Sequence, residues 1–123
     1  GWPHNDTFKS LLEKDVKGYP NSNGDVVIGN DVEIGPNVTL QTNEHQILDT
    51  SKPLGKQGTT FLPISVGDGC YFGADVTILH GVRITNNCLI GAKSLVNKSI
   101  DVPGLYAGCP ARLVKKFDGD ESN

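Results

Sequence analysis

The 123-residue sequence contains no apolar run that approaches the roughly 20 residues needed to cross a membrane. It has no run of basic residues, and its formal net charge of -3 argues against nucleic acid as the main partner. The first residues, GWPHNDTFKS, have neither the charged nor the apolar region of a secretory signal peptide. These absences predict a protein with no membrane segment and no nucleic-acid partner.

Cysteine is also scarce, with three residues in the chain. Reduced thiols are consistent with a cytoplasmic protein, because disulfides persist mainly in oxidising compartments. A chain of this length is expected to form one domain with a core of modest volume.

The stretch from Val66 to Asp101 consists of consecutive six-residue blocks: VGDGCY, FGADVT, ILHGVR, ITNNCL, IGAKSL and VNKSID. Each block opens on an apolar residue, and its fifth place is mostly small or apolar. The same frame occurs earlier as IGNDVE, IGPNVT and LQTNEH, which open on Ile28, Ile34 and Leu40. All nine opening residues are apolar, and glycine follows five of them.

A period of six fits neither the 3.6-residue repeat of a helix nor the simple alternation of one long strand. It is typical of short strands joined by corners, with two residues of each block pointing inward. Gly and Asn recur where a corner needs a positive φ. Repeats this short indicate a β-helix, in which each coil buries its inward face by stacking on its neighbours. The sequence therefore predicts an all-β, single-domain parallel β-helix, whose handedness does not follow from the spacing.

Two of the cysteines fall within this repeat. Cys70 and Cys88 lie 18 residues apart, one full coil, in the same fifth place of their blocks. We expect them to lie one above the other inside the helix, at roughly the strand spacing of 4.8 Å. A disulfide or a metal pair is one interpretation, and two small inward hydrophobic residues is the favoured one. Cys109 lies in a C-terminal loop and has no obvious partner.

The N-terminal residues do not show the repeat. Phe8, Leu11 and Leu12 fall on one face of a short helix that Asp6 or Thr7 could cap. This segment is predicted to plug the open end of the coil stack, to shape an acceptor pocket, or to do both.

The repeat fails where Glu44 takes the place of the apolar fifth residue, beside His45. Local failure of a pattern indicates a functional site, and the insertion that follows is predicted to be an exposed loop. The predicted organisation is then an N-terminal cap over 1–24, a β-helix over 25–101 with a looped insertion at 46–59, and a C-terminal return segment and tail over 102–123.

Several motifs occur in a fixed order: IGNDVEIGPNVTL, a Thr-x-x-His before the insertion, LPISVGDG, GAKSLVNKSIDVPG and AGCPARLVKK. Together they resemble the hexapeptide-repeat acyltransferases, closest to the sugar O-acetyltransferases of the galactoside and maltose type, over about residues 25–117. The resemblance implies a left-handed β-helix with triangular coils and acetyl-CoA as co-substrate. It also implies a homotrimer with active sites where neighbouring subunits meet. The helical N-terminal domain of that family has no clear match in residues 1–24, so the acceptor is not identified.

The resemblance also assigns roles in catalysis. It implies that His45 is the general base, which takes a proton from a hydroxyl or amino group of a small acceptor, most simply a sugar or sugar derivative. Imidazole suits this role because its ordinary pKa of about 6.5 lets it accept a proton near neutral pH. Asn43, two residues earlier, belongs to the same motif. Donors for the oxyanion are expected near Gly73 and Ala74, from backbone N–H groups.

The same resemblance predicts the cofactor contacts. Ala92 and Ser94 are expected along the pantetheine arm, where backbone groups pair with the cofactor amides. The phosphates of acetyl-CoA call for cations, and Asn97 stands beside the first of them, where the family usually has threonine. The cations at matching basic positions are Lys98, Arg112 and Lys115, with Lys116 as a further candidate.

Two other functions share this architecture. A γ-class carbonic anhydrase needs three histidines on one zinc, whereas His80 falls outside the zinc-binding register and the place of one ligand is taken by Ala74. We therefore expect no metal. A non-catalytic β-helix that serves in binding or assembly is the second alternative, against which the Asn43-x-His45 motif and the basic residues argue.

Overall fold

The computed structural model describes residues 24–45 and 50–117. The helix predicted near the N-terminus lies outside the described residues. Within them the backbone forms short strands and one 3₁₀ helix, Leu54–Lys56, and contains no helix long and apolar enough to cross a membrane. The strands are β1 Val26–Ile28, β2 Glu33–Ile34, β3 Thr39–Leu40, β4 Asn43–His45, β5 Thr59–Phe61, β6 Ile64–Val66, β7 Tyr71–Phe72, β8 Thr77–Ile78, β9 Arg83–Ile84, β10 Leu89–Ile90, β11 Leu95–Val96, β12 Gly104–Gly108 and β13 Ala111–Lys116.

Three parallel sheets form the sides of a triangular prism. Each coil contributes one strand to each sheet, so the sheets read β1-β6-β9, β2-β7-β10 and β3-β8-β11. The registers repeat without a shift: Ile34 pairs with Phe72, which pairs with Ile90, and Val66 pairs with Ile84. This confirms the parallel β-helix that the six-residue period predicts.

The core consists of the two inward places of each block, as predicted. Each opening residue from Val66 to Val96 is buried, and so is each fifth residue from Cys70 to Ile100. A hydrophobic interior this narrow has room for only these two side chains per side, so the other four residues of a block face outward or turn. The fully buried large residues are Phe72, Ile64, Ile78, Ile84, Ile90, Val66, Val76, Val82 and Val96.

Seven of the nine blocks, all but LQTNEH and VNKSID, have the left-handed backbone conformation at their fourth place. Glycine occupies this place at Gly69 and Gly81, and Asn or Asp occupies it at most other corners. Lys93 is the exception, with a φ of 64° that a lysine adopts only at a steric cost. The predicted need for positive φ at the corners is confirmed.

The three edges of the prism differ in chemistry. The polar edge (residues 29–32, 67–70 and 85–88) carries a ladder in which Asp68 Oδ1 accepts from the Asn30 N–H at 2.8 Å and Asn86 Oδ1 accepts from the Asp68 N–H at 3.0 Å. The glycine edge (residues 35–38, 73–76 and 91–94) lacks such side chains. The insertion edge (residues 41–42, 62–63, 79–82 and 97–99) is interrupted by the looped insertion.

The insertion begins earlier than predicted. The block LQTNEH, opening on Leu40, was expected to belong to the first coil, with the loop starting at residue 46. Instead the chain leaves the prism after Thr42, and β4 pairs with β5 in an antiparallel hairpin. The physical reason is that Glu44 cannot fill the inward fifth place, so nothing holds the second half of this block in the coil.

The first coil has neighbours on one side only among the described residues, because β1, β2 and β3 are each at the end of their sheet. Its inward residues Ile28 and Ile34 are consequently 40% and 45% exposed. The prediction that residues 1–24 cover this end lies outside the described residues and stays a prediction.

The C-terminal segment closes the other end of the prism. β12 pairs with β10 in parallel, and β13 returns antiparallel against β12. The Tyr106 hydroxyl donates to the Val102 carbonyl oxygen at 2.7 Å. This arrangement continues the stack of strands and then turns the chain back outside it.

Candidate active site

The looped insertion carries the predicted base on a hairpin. In β4 and β5, Asn43 is opposite Phe61 and His45 is opposite Thr59, so the hairpin fixes the backbone of His45. The side chain of His45 lies outside the described part of the structure. Asn43 is half-buried, and its carbonyl oxygen accepts a hydrogen bond from the Gln41 side-chain amide at 3.5 Å.

A histidine of the second coil contacts the same hairpin. The His80 Nε2 atom lies 2.7 Å from Glu44 Oε1, and the His80 side chain is 20% exposed whereas that of Glu44 is 61% exposed. His80 Nδ1 is buried and has no hydrogen-bond partner among residues 24–45 and 50–117. The ring proton is therefore best placed on Nε2, from which it donates to the carboxylate. The sequence predicted a corner histidine here, which is correct, but gave no sign of the contact with Glu44.

Two of the predicted cofactor residues lie on the insertion edge. Asn97 and Lys98 are exposed at the corner that follows β11, and Lys98 follows His80 by 18 residues, so it lies one coil further along this edge. The ammonium group of Lys98 has no ion-pair partner in the part of the chain that the structure describes. It is therefore available to an anion.

The glycine edge brings together Gly73, Ala74 and Ala92. A Cβ atom on Gly73 would come within 2.8 Å of the Ala92 nitrogen, so the two corners touch through their backbones. The Ala74 carbonyl oxygen accepts from the Lys93 N–H at 2.8 Å. By contrast, the N–H groups of Ala74 and Ala92 donate to no group within residues 24–45 and 50–117. Two open backbone donors therefore lie one coil apart on this edge.

Ser94 is placed differently from what a side-chain contact with a cofactor requires. Its side chain points into the prism and is buried, because it occupies the inward fifth place of its block. The Ser94 hydroxyl donates to the Gly91 carbonyl oxygen at 2.7 Å and accepts from the Gly108 N–H at 3.1 Å. It joins the last coil to β12, and its side chain is not available to a ligand.

The C-terminal cations are exposed on β13. Arg112 lies opposite Ala107, whose Cβ atom lies 3.2 Å from the position that a Cβ on Gly91 would take. Arg112 is thus beside the last corner of the glycine edge, whereas Lys115 lies opposite Leu105. Together with the exposed Lys93, these residues give this end of the prism a positive charge.

One copy of the chain does not bring all the predicted residues together. Asn97 and Lys98 belong to the insertion edge, and His45 lies on the hairpin that leaves this edge. The other predicted residues lie on or beside the glycine edge: Gly73, Ala74, Ala92 and Arg112. One side of the prism separates these edges, roughly 15–20 Å for six residues at about 3.3 Å each. A site within one copy that used both groups would have to span this distance.

The inward cysteines are free and buried, as the favoured interpretation predicted. Both thiols are 1% exposed, and Cys70 Sγ donates to the Thr85 carbonyl oxygen at 3.1 Å. The hydrogen bond with Cys70, together with burial, raises the pKa of the Cys88 thiol well above its ordinary value. Among the described residues, no three His, Cys, Asp or Glu side chains are grouped so that they could hold a metal ion.

Comparisons with known proteins show which family and which solved structures the chain resembles. Residues 63–98 match the family described as bacterial transferase hexapeptide (six repeats), which is the part of the chain that forms the second and third coils. The chain therefore contains the repeat that is typical of the hexapeptide-repeat acyltransferases, the family that its sequence resembles. Its fold is the left-handed parallel β-helix of these proteins, as the resemblance implied.

The relatives that the chain resembles include proteins named as acetyltransferases. The galactoside O-acetyltransferase of Escherichia coli K12 is 37% identical over 94 residues, which is 76% of this chain and 45% of that protein. A structure of galactoside acetyltransferase in complex with coenzyme A is similar with a TM-score of 0.68 at 36% identity, covering 79% of this chain and 48% of the other.

A third relative is a hexapeptide-repeat acetyltransferase from Vibrio cholerae, whose structure holds acetyl coenzyme A. It has a TM-score of 0.68 at 32% identity and covers 76% of this chain and 50% of that one. The chain thus spans about half the length of the relatives it matches.

Proposed function

We propose that the protein is an acetyl-CoA-dependent acetyltransferase that acts on a hydroxyl or amino group of a small acceptor, most simply a sugar or sugar derivative. The observation that carries the proposal is similarity over three quarters of the chain to acetyltransferases whose structures hold coenzyme A or acetyl coenzyme A. The galactoside O-acetyltransferases among the relatives support the choice of a sugar.

The proposed role of His45 is that of general base. When bound, acetyl-CoA supplies an acetyl group as a thioester. The His45 imidazole takes the proton from the acceptor hydroxyl or amine, whose oxygen or nitrogen then bonds to the thioester carbonyl carbon. His45 later returns the proton to the sulfur as the carbon–sulfur bond breaks. Asn43 lies in the same strand and is proposed to help orient the acceptor. A base of this kind contributes roughly 10²–10⁴-fold to the rate.

The open donors of the glycine edge suit the developing oxyanion and the cofactor amides. The Ala74 and Ala92 N–H groups have no partner among the described residues. Backbone donors held in place by the fold do not have to reorient when negative charge develops on the substrate oxygen. Gly73 permits close approach, because it has no side chain above the backbone. Ser94 contributes through the backbone of its corner and not through its hydroxyl.

The exposed cations are proposed to bind the phosphates of acetyl-CoA. Lys98 and Arg112 are the main candidates, with Lys115 as a further one, because ammonium and guanidinium groups donate charge-assisted hydrogen bonds to phosphate oxygens. Asn97 is an exposed polar neighbour of Lys98 that can donate to the same group.

The site is proposed to form between copies in a homotrimer. The insertion edge of one subunit, with His45, would face the glycine edge of its neighbour, with Ala74 and Ala92. The separation of these two edges within one chain supports this arrangement, because neither edge alone holds both the base and the donors. The predicted cytoplasmic location stays a prediction from the sequence.

The experiment that tests the proposal is an acceptor screen with acetyl-CoA, in which thiol release is compared between the parent and His45→Ala. We expect at least a hundredfold lower turnover for the variant, with unchanged thermal unfolding. Binding of acetyl-CoA is measured in parallel by calorimetry. A parent that binds no acetyl-CoA and acetylates no acceptor would contradict the proposal and favour a binding or assembly module, and equal rates would remove His45 from the mechanism.

A further inference from the structure

The contact between Glu44 and His80 has no role in the proposed reaction, yet it joins the hairpin to the prism next to the base. Glu44 directly precedes His45 in β4, and His80 belongs to a corner of the second coil. We propose that Glu44 and His80 form a positioning pair that holds β4, and therefore the backbone of His45, in a fixed place against the coil stack. This inference rests on the proposed role of His45 and adds two positioning residues to it.

His80 is suited to be the fixed member of the pair. Its corner is bonded to the coils on both sides, since the Leu79 N–H donates to the Val96 carbonyl oxygen at 3.0 Å and the Gly81 N–H donates to the Pro63 carbonyl oxygen at 2.9 Å. The side chain itself is mostly buried. A group attached to this imidazole is thus attached to the prism.

Glu44 is suited to be the attached member. The described hairpin contains three residue pairs between β4 and β5, and a two-stranded hairpin is marginally stable by itself. Its position therefore depends on contacts with the prism. The Leu62 N–H donates to the Thr42 carbonyl oxygen at 2.8 Å at the base of the hairpin, and the Glu44 carboxylate adds a contact beyond that base.

The unpartnered nitrogen of His80 argues that the pair serves more than stability. Within the described residues, His80 Nδ1 is buried without a hydrogen bond, which lowers stability, and a contact with an exposed carboxylate contributes little to offset that loss. A leucine at this place would avoid the unpartnered atom, but it would lose the attachment of Glu44. An arrangement with a cost in stability is expected where geometry matters for function.

Amide hydrogen exchange tests the attachment itself. In Glu44→Ala and in His80→Leu, amides of β4 and β5 should exchange about tenfold faster than in the parent, while those of β10 stay unchanged. Glu44→Gln keeps a hydrogen-bond acceptor and should stay near the parent. Glu33→Ala, which removes an exposed glutamate from a coil, is the matched control and should leave the hairpin unaffected. Unchanged exchange of the hairpin in Glu44→Ala would overturn the proposal.

Steady-state kinetics tests the consequence. We expect kcat to fall about tenfold in Glu44→Ala and in His80→Leu, with the KM for acetyl-CoA within twofold of the parent, because a misplaced base slows the reaction without changing cofactor contacts. The double variant should be no slower than either single variant. Faster exchange with unchanged kcat would refute the positioning role. If the parent shows no acetyl transfer, the proposed function fails, and the exchange data still decide whether the pair holds the hairpin.

Discussion

The polar edge and the glycine edge have the same backbone but different hydrogen bonding. At the polar edge, the third residue of each block is Asn30, Asp68 or Asn86. The Asp68 side chain accepts a hydrogen bond from the Asn30 N–H, and the Asn86 side chain accepts one from the Asp68 N–H. At the glycine edge, the corresponding residues after Pro36 are Ala74 and Ala92. No side chain reaches these N–H groups from within the described residues, so they remain open.

This difference shows how a repeat that is uniform in its core becomes specific at its surface. The inward residues do not distinguish the two edges, because Cys70 and Cys88 at the polar edge are buried just as Val76 and Ser94 are at the glycine edge. At the glycine edge the third place holds alanine, whose methyl group cannot accept a hydrogen bond. The backbone N–H groups that amide and carboxylate side chains bind at the polar edge are therefore free here, within the described residues. One edge is therefore closed by its own side chains, and the other is available to a ligand rich in carbonyl groups.

The largest effect is expected from filling the glycine edge. In Gly73→Val, a Cβ would lie 2.8 Å from the Ala92 backbone nitrogen, so the two coils must separate. We expect a loss of about 1–3 kcal/mol in the free energy of unfolding, measured by urea denaturation at one protomer concentration. The control is Gly55→Val on the insertion, where a Cβ meets nothing within 4 Å. Equal losses in the two variants would contradict the contact.

A smaller effect follows if the glycine edge is given the chemistry of the polar edge. In Ala92→Asn, the new side chain should accept the Ala74 N–H, as Asn86 accepts the Asp68 N–H. We expect acetyl-CoA affinity to fall about tenfold with stability retained, since one hydrogen bond contributes on the order of 1 kcal/mol.

The matched variant at the polar edge is Asn86→Ala. It should lower the free energy of unfolding by about 1 kcal/mol and leave acetyl-CoA affinity unchanged. Calorimetric titration with acetyl-CoA separates the two variants. The comparison between the edges breaks down if Asn86→Ala weakens binding as much as Ala92→Asn does.

The smallest effect concerns the corner conformation. Lys93 has the positive φ that Gly69 has at the polar edge. Lys93→Gly should therefore raise the free energy of unfolding by about 0.5–1 kcal/mol, because glycine adopts this conformation without a steric cost. Thermal unfolding of the variant measures this gain, and a lower midpoint would argue against strain at this corner.

The sequence predicted the regular part of the fold well. The six-residue period determines which residues point inward, so burial of Cys70 and Cys88 and the positive φ at the corners follow from it. The polar ladder was missed, although its signal is visible, because Asp68 and Asn86 occupy the same third place 18 residues apart.

The parts outside the period could not be predicted in the same way. The end of the first coil at Thr42 depends on where the hairpin begins, and a six-residue frame does not specify this. The contact of Glu44 with His80 joins two segments with no shared pattern. The Ser94 side chain is buried in the inward fifth place, as its position in the block indicated, and the expected backbone contact of Ser94 with the cofactor stays a prediction.

The central claim is that the base and the backbone donors act together from two different subunits. Co-expression of His45→Ala and Ala92→Trp chains, both checked for native thermal unfolding, tests it directly. Each variant alone should lose at least a hundredfold in acetyl transfer, and mixed assemblies should regain up to about a quarter of parental activity, because intact edges then meet at some interfaces. Mixed assemblies as inactive as the single variants would contradict a shared site.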